Sequence, residues 1–141
     1  MSTHLKLALV LLALCLNACG NGNGRNSDDN STPVAVSFSA EVQPIFDANC
    51  VTCHTLGGMA QFLRLTSAES YNALVSQPSQ FTVGGTTLVV PSSSATSVLY
   101  MRVSGTGLSP SDEQMPRGAP ALSSSDQEII RNWIDEGASN N

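Results

Sequence analysis

Apolar and polar positions divide this chain into stretches of different character. Leu7 to Leu16 is an almost unbroken run of Leu, Ala and Val, preceded by the lone lysine, Lys6. Gly20 to Pro33 carries no apolar side chain and no periodicity. From Val34 onward, short apolar groups recur at helical spacing between segments rich in Gly, Pro and Ser. Within this third stretch, Ser39 is suited to cap a first helix, with Glu41 in its first turn and Pro44 early enough to be tolerated. Val42, Ile45, Phe46 and Asn49 then share one face that leads into Cys50. Ser67 to Val75 predicts a second short helix with Tyr71, Leu74 and Val75 to bury. Gln77 to Ser94 holds Pro78, Gly84-Gly85, Leu88-Val89-Val90 and Pro91, a pattern of loop or short β-like chain.

Thr96 to Val103 reads as a third helix that buries Val98, Leu99 and Met101, and Gly105 to Ala121 as a Gly- and Pro-rich loop. The clearest element comes last. Ser125 and Glu128 have capping-box spacing, Ile129, Ile130, Trp133 and Ile134 form a stripe, and Gly137 marks the stop. The expectation is an all-α domain with long loops over residues 36–138. Helices this short bury little by themselves, so such a domain gains from a large rigid apolar insert.

The first two stretches read as targeting and tether. The apolar run is ten residues long, half of the roughly 20 needed to span a bilayer, so residues 1–18 predict a signal peptide. Leu16-Asn17-Ala18-Cys19-Gly20 resembles the lipobox of bacterial lipoproteins. That resemblance implies cleavage before Cys19 and acylation of its thiol, with Gly20 favouring the outer membrane. Residues 19–35 then form a disordered tether with a reach on the order of tens of Å. The expected location is the cell envelope of a bacterium, lipid-anchored and facing the periplasm.

Removing residues 1–18 changes the chemistry that remains. Five arginines face eleven carboxylates, a formal charge of −6. A chain this acidic has no basic footprint for nucleic acid. His54 becomes the only histidine, and Cys50 and Cys53 the only cysteines besides Cys19.

Cys50-Val51-Thr52-Cys53-His54 is the signature of covalent c-type haem attachment. Two cysteines three apart on one turn can reach the two vinyl groups of one porphyrin. The residue that follows then points an imidazole at the iron from the same side. The rivals fail for separate reasons. A redox dithiol usually opens the helix of a βαβ unit, and none is predicted. A zinc site lacks its other half. A disulfide across so small a loop would stabilise little.

With His54 spent, no second histidine can ligate from the same chain. Among the methionines, Met59 lies five residues beyond His54 and would have to swing around the porphyrin edge. Met101 falls among helix-core residues, where thioethers pack well. Met115 lies in the polar loop Ser111 to Gly118 with no helical face to bury it, and Pro116 restricts it to extended backbone. Met115 is therefore the candidate second axial ligand.

In these stretches the chain resembles single-haem bacterial cytochromes c of class I, in the variant common among planctomycete-type sequences. The matching segments are Val42 to Phe46 through His54, Val89-Val90-Pro91 with Ser97 to Tyr100, Met115-Pro116, and Leu122 through Ala138. The resemblance implies a class I cytochrome c-like fold whose first and last helices cross, here through Phe46 and Trp133. It also implies one haem c with His54 and Met115 on opposite faces. The function it implies is one-electron transfer without catalysis, and the acidic surface would favour a redox protein partner with a basic docking patch. The alternatives are a haem relay subunit of a respiratory or dehydrogenase complex, or a ligand sensor or peroxidase-like protein with an open sixth position. No distal histidine or acid–base pair supports the last, and Arg117 is the one nearby group that could assist.

Overall fold

The computed structural model describes residues 34–80 and 85–141. The expected signal peptide, Cys19 and nearly all of the tether fall outside them. Among the described residues all regular structure is helical, and no helix is long and apolar enough to cross a membrane.

The first helical segment opens with a π-helical turn, Phe38–Val42, that runs straight into α1, Gln43–Asn49. Pro44 explains the wide turn. It has no N–H, and its ring would meet the carbonyl four residues back in an α-helix. Val42 and Gln43 instead donate five residues back, to Ser37 and Phe38.

Ser37, not Ser39, is the cap. Its hydroxyl accepts from the Ala40 N–H at 3.2 Å while the Glu41 carboxylate accepts from the Ser37 N–H at 2.8 Å. Ser39 is instead held by Asn141. The main-chain oxygen of Asn141 accepts from the Ser39 N–H (2.9 Å) and hydroxyl (2.8 Å), and its side-chain oxygen accepts from the Phe38 N–H (2.8 Å). The first N–H groups of the helix are thus all satisfied, two of them by a residue about a hundred positions away.

Helix α2 is shorter than expected, Ser70–Leu74, because Ser67 to Glu69 form a turn in which Ser70 and Glu69 both donate to the Thr66 carbonyl. The segment from Thr86 to Val90 then lies beside the end of α2 as isolated bridges rather than a strand. Val89 donates to Leu74 and Ser76 to Val89. The same segment starts α3, Val98–Ser104. Thr87 and Leu88 carbonyls accept the N–H groups of Val98 and Leu99. Ser97 precedes α3 without capping it, because its hydroxyl is committed to Val90 and Ser93.

The last helix, α4, spans Ser124–Asp135. Its cap is Ser123, whose hydroxyl accepts from the Asp126 N–H at 3.1 Å, and not Ser125, to which the capping-box spacing points. Three serines stand in a row here, and the backbone decides among them: Ser123 is extended at φ −58°, ψ 154°, while Ser125 lies inside the helix. Glu128, expected in the capping box, pairs with Arg131 instead. At the far end Gly137 stops α4 at φ +107°, donating to Ile134 while Ala138 donates to Trp133.

The core is a single cluster built from both ends of the chain. Phe38 meets the Trp133 ring at 5.0 Å and Tyr71 at 5.3 Å, and Phe46 packs edge-on to Phe38 at 6.3 Å. Phe38, in the π turn, brings its ring to Trp133, and Phe46 is fully buried in the same cluster. Phe46, Leu74, Val89, Ile130 and Ile134 are fully buried around it. Met101 is buried and Met59 is exposed, in keeping with a core role for Met101.

The cap assignment is open to a direct check. Ser123→Ala should cost about 1 kcal/mol and Ser125→Ala less than about 0.5 kcal/mol, read as urea midpoints. Equal losses would restore Ser125 as the cap.

Candidate functional site

Cys50 stands where α1 ends. Cys50 and Val51 both donate to the Phe46 carbonyl, and the backbone then tightens into a turn in which Cys53 (3.1 Å) and His54 (2.9 Å) both donate to the Cys50 carbonyl. Both thiols and the imidazole therefore issue from one turn. Cys50 and Cys53 are free thiols. Burial, with the neighbouring Cys53 adding to it, pushes the Cys50 thiol up to about 11. A thiol protonated across the physiological range is a poor attacking group for disulfide exchange.

The chain then doubles back onto the turn. Gly58 donates to Thr55, Ala60 to Cys53 at 3.0 Å, and Leu65 to the His54 carbonyl at 2.8 Å. This loop brings the Leu63 carbonyl to 2.9 Å from His54 Nδ1. A carbonyl only accepts, so Nδ1 carries a proton, and in the neutral ring Nε2 keeps its lone pair. This is the arrangement by which proteins fix a ligating histidine's tautomer and ring direction. The Phe62 ring stands edge-on to His54 at 6.4 Å. Three large apolar side chains of the same loop are exposed: Leu56, Met59 and Phe62, by 75%, 88% and 53%.

Gln43 braces the loop from behind, and the sequence reading missed it. Its side chain is buried in α1, where Nε2 donates to the Leu65 carbonyl (3.0 Å) and to Asp47 (2.8 Å). Oε1 accepts from the fully buried Ser70 hydroxyl at 2.5 Å. One residue, Leu65, thus takes a bond from Gln43 and gives one to His54. Its only sequence signal was an amide between Val42 and Ile45 on a buried face.

Met115 is held elsewhere, by the end of α3. Gly105, Met115 and Gln114 satisfy three carbonyls at that end. Gly105 donates to Met101 (2.9 Å), Met115 to Arg102 (2.8 Å), and the Gln114 amide to Val103 (2.9 Å). The Arg102 guanidinium donates to the Glu113 carbonyl and reaches Asp112 at 3.5 Å. The Ser109 hydroxyl and N–H hold the Asp112 carboxyl below its usual range, with Arg102 adding to this. Met115 is half-buried and joined to Pro116 by a cis peptide bond. Arg117 pairs with Glu113 at 2.8 Å on an exposed surface. The two expected axial residues therefore stand on separate supports, His54 on the turn after α1 and Met115 on the loop after α3.

Among the described residues no three His, Cys, Asp or Glu side chains stand together as a metal-ion site. What fold and site define is an all-helical domain whose chemistry is a paired-thiol turn ending in an oriented imidazole. No protein-family model matches this chain, and no curated protein matches it in sequence. Among solved structures the chain is similar to Kuenenia stuttgartiensis hydrazine synthase, with 25% identity and a TM-score of 0.49. The match covers 73% of this chain and 16% of that one, so this chain spans about a sixth of that protein's length.

The reversal after the motif rests on one close approach. A Cβ at Gly58 would stand 2.3 Å from the Cys53 carbonyl oxygen, so the backbone itself would have to move. Gly58→Ala should destabilise the domain by about 1–3 kcal/mol, measured by urea denaturation. An unchanged midpoint would mean that the turn yields freely.

Proposed function

We propose that this chain is a single-haem c-type cytochrome that transfers one electron at a time. The observation that carries the reading is the Cys50–His54 turn with His54 Nδ1 committed to the Leu63 carbonyl. The donor set fits a covalently attached haem. Two thiols three residues apart suit two vinyl groups, and an imidazole with a bare Nε2 suits an iron. The exposed Leu56 and Met59 lie beside that turn, where a large flat apolar group would cover them. When bound, the haem supplies an iron that alternates between ferric and ferrous.

The chain's own residues do the rest. Cys50 and Cys53 hold the ring through thioethers, and His54 ligates in an orientation set by Leu63. Met115 is proposed as the second axial ligand. Its N–H donates to the Arg102 carbonyl, which anchors the backbone that bears the thioether. A thioether opposite imidazole raises the reduction potential relative to two imidazoles, and a closed sixth position suits electron transfer rather than catalysis. In this reading Cys19 carries the lipid anchor in the bacterial envelope. The acidic chain, at −6 without residues 1–18, favours a redox partner with a basic docking patch.

Optical spectroscopy of protein made with c-type maturation tests this. The wild type should carry one covalent haem, a low-spin spectrum and the weak red band of methionine–ferric ligation. That band should vanish in Met115→Ala and persist in Met101→Ala. Loss in Met101→Ala instead would overturn the ligand assignment, and rapid tight carbon monoxide binding by the ferrous wild type would overturn the closed site.

A further inference from the structure

We infer that Gln43 is a positioning residue for His54 and sets the reduction potential of the site through the Leu63–Leu65 segment. The inference rests on His54 being the iron ligand, as proposed above.

His54 is oriented by a main-chain carbonyl, that of Leu63. A main-chain acceptor is only as well fixed as the chain that bears it, and residues 63–65 belong to no helix or strand. Leu63 donates to the Ala60 carbonyl at 3.1 Å within the loop, Arg64 pairs with Glu69, and two further bonds meet at Leu65. Leu65 donates to the His54 carbonyl at 2.8 Å, and the Leu65 carbonyl accepts from Gln43 Nε2 at 3.0 Å. The first of these moves with His54 itself. The second comes from α1, the helix that also delivers Cys50, so it references the acceptor to the element that carries the thiols.

Gln43 is itself locked. It is 5% exposed, and its oxygen takes the hydroxyl of Ser70, which is fully buried at the start of α2. An amide with both ends engaged in the interior cannot drift without leaving a buried polar group unpaired. The chain of contacts therefore runs from Ser70 to Gln43, to Leu65, and across one residue to the Leu63 carbonyl on Nδ1.

The consequence for the iron is electronic as well as steric. A carbonyl accepting from Nδ1–H makes the imidazole a more basic ligand. A more basic ligand favours the ferric state and lowers the potential. Loosening the Leu63 carbonyl should raise it.

The test compares full-length, haem-loaded wild type with Gln43→Met, Ser70→Ala and Tyr71→Phe by redox titration and thermal melting. Gln43→Met keeps the volume and removes all three side-chain bonds, to Leu65, to Asp47 and from Ser70. Ser70→Ala removes only the lock on the amide. Tyr71→Phe is the control, losing the bond of its hydroxyl to the Ala138 carbonyl, which does not connect to His54. Gln43→Met should shift the reduced-to-oxidised ratio at fixed poise about tenfold toward reduced, ~59 mV upward for one electron. Ser70→Ala should shift it the same way by less, and Tyr71→Phe should lower stability with the potential unmoved. If Gln43→Met does not mature, Ser70→Ala decides alone. Haem-loaded Gln43 or Ser70 variants that melt lower at wild-type potential would reduce Gln43 to a structural residue and overturn this inference while leaving the cytochrome reading intact. A wild-type chain without covalent haem would sink both.

Discussion

The contact between Phe38 and Trp133 joins the beginning of the folded chain to its last helix, and the rest of the domain is arranged around it. None of α1, α2 and α3 exceeds seven residues. Helices of that length are not stable by themselves in water, so each depends on burying a face against something else. Phe38, Tyr71 and Trp133 supply that surface as three rings in mutual contact, each drawn from a different part of the chain. Ring pairs of this kind add about 0.5–1.5 kcal/mol each beyond the area they bury. The polar edges of the cluster are satisfied: the Trp133 indole donates to the Ser139 carbonyl and the Tyr71 hydroxyl to Ala138.

That long-range closure explains why the short helices end and begin as they do. The first segment borrows Asn141 for two of its leading N–H groups. Helix α3 takes its N-terminal acceptors from Thr87 and Leu88 and its C-terminal donors from Gln114 and Met115. These ends are completed by distant segments, whereas α4 is closed by its own neighbours Ser123, Gly137 and Ala138. One consequence is that Met115, in a segment without regular structure, has a backbone fixed by an unsatisfied carbonyl of α3.

The same logic builds the His54 turn. The CxxCH motif stands just beyond α1, where the helix can no longer supply partners. The following loop returns to give His54 a carbonyl for its ring and a donor for its backbone. Burial keeps the Cys50 thiol protonated, and the amide of Gln43 ties the returning loop to α1. The outcome is a turn that presents two thiols and one imidazole nitrogen from a hydrogen-bonded backbone.

Much of this could be read from the amino acids alone, because it depends on local order. The spacing of Cys50, Cys53 and His54 defines the chemistry of the turn. The stripe Ile130, Trp133, Ile134 and the stop at Gly137 define α4, and Gly85 and Pro91 bound a described stretch without helix or strand. Other features depend on which groups meet in space, and no local pattern carries that. Ser37 and Ser123 cap where Ser39 and Ser125 had equal claims by residue type, since only the path of the backbone separates neighbouring serines. Phe38, in the turn before Pro44, brings its ring to Trp133, and no local pattern singles it out for that place. The partner of His54 Nδ1 is a main-chain carbonyl, which every residue possesses, so no side chain announces it. Gln43 reads as an ordinary polar residue until the fold buries it between Ser70 and Leu65. The sequence by itself determined the kinds of groups available, and tertiary contacts decided which of them are paired, because hydrogen-bond partners are chosen by proximity and not by residue type.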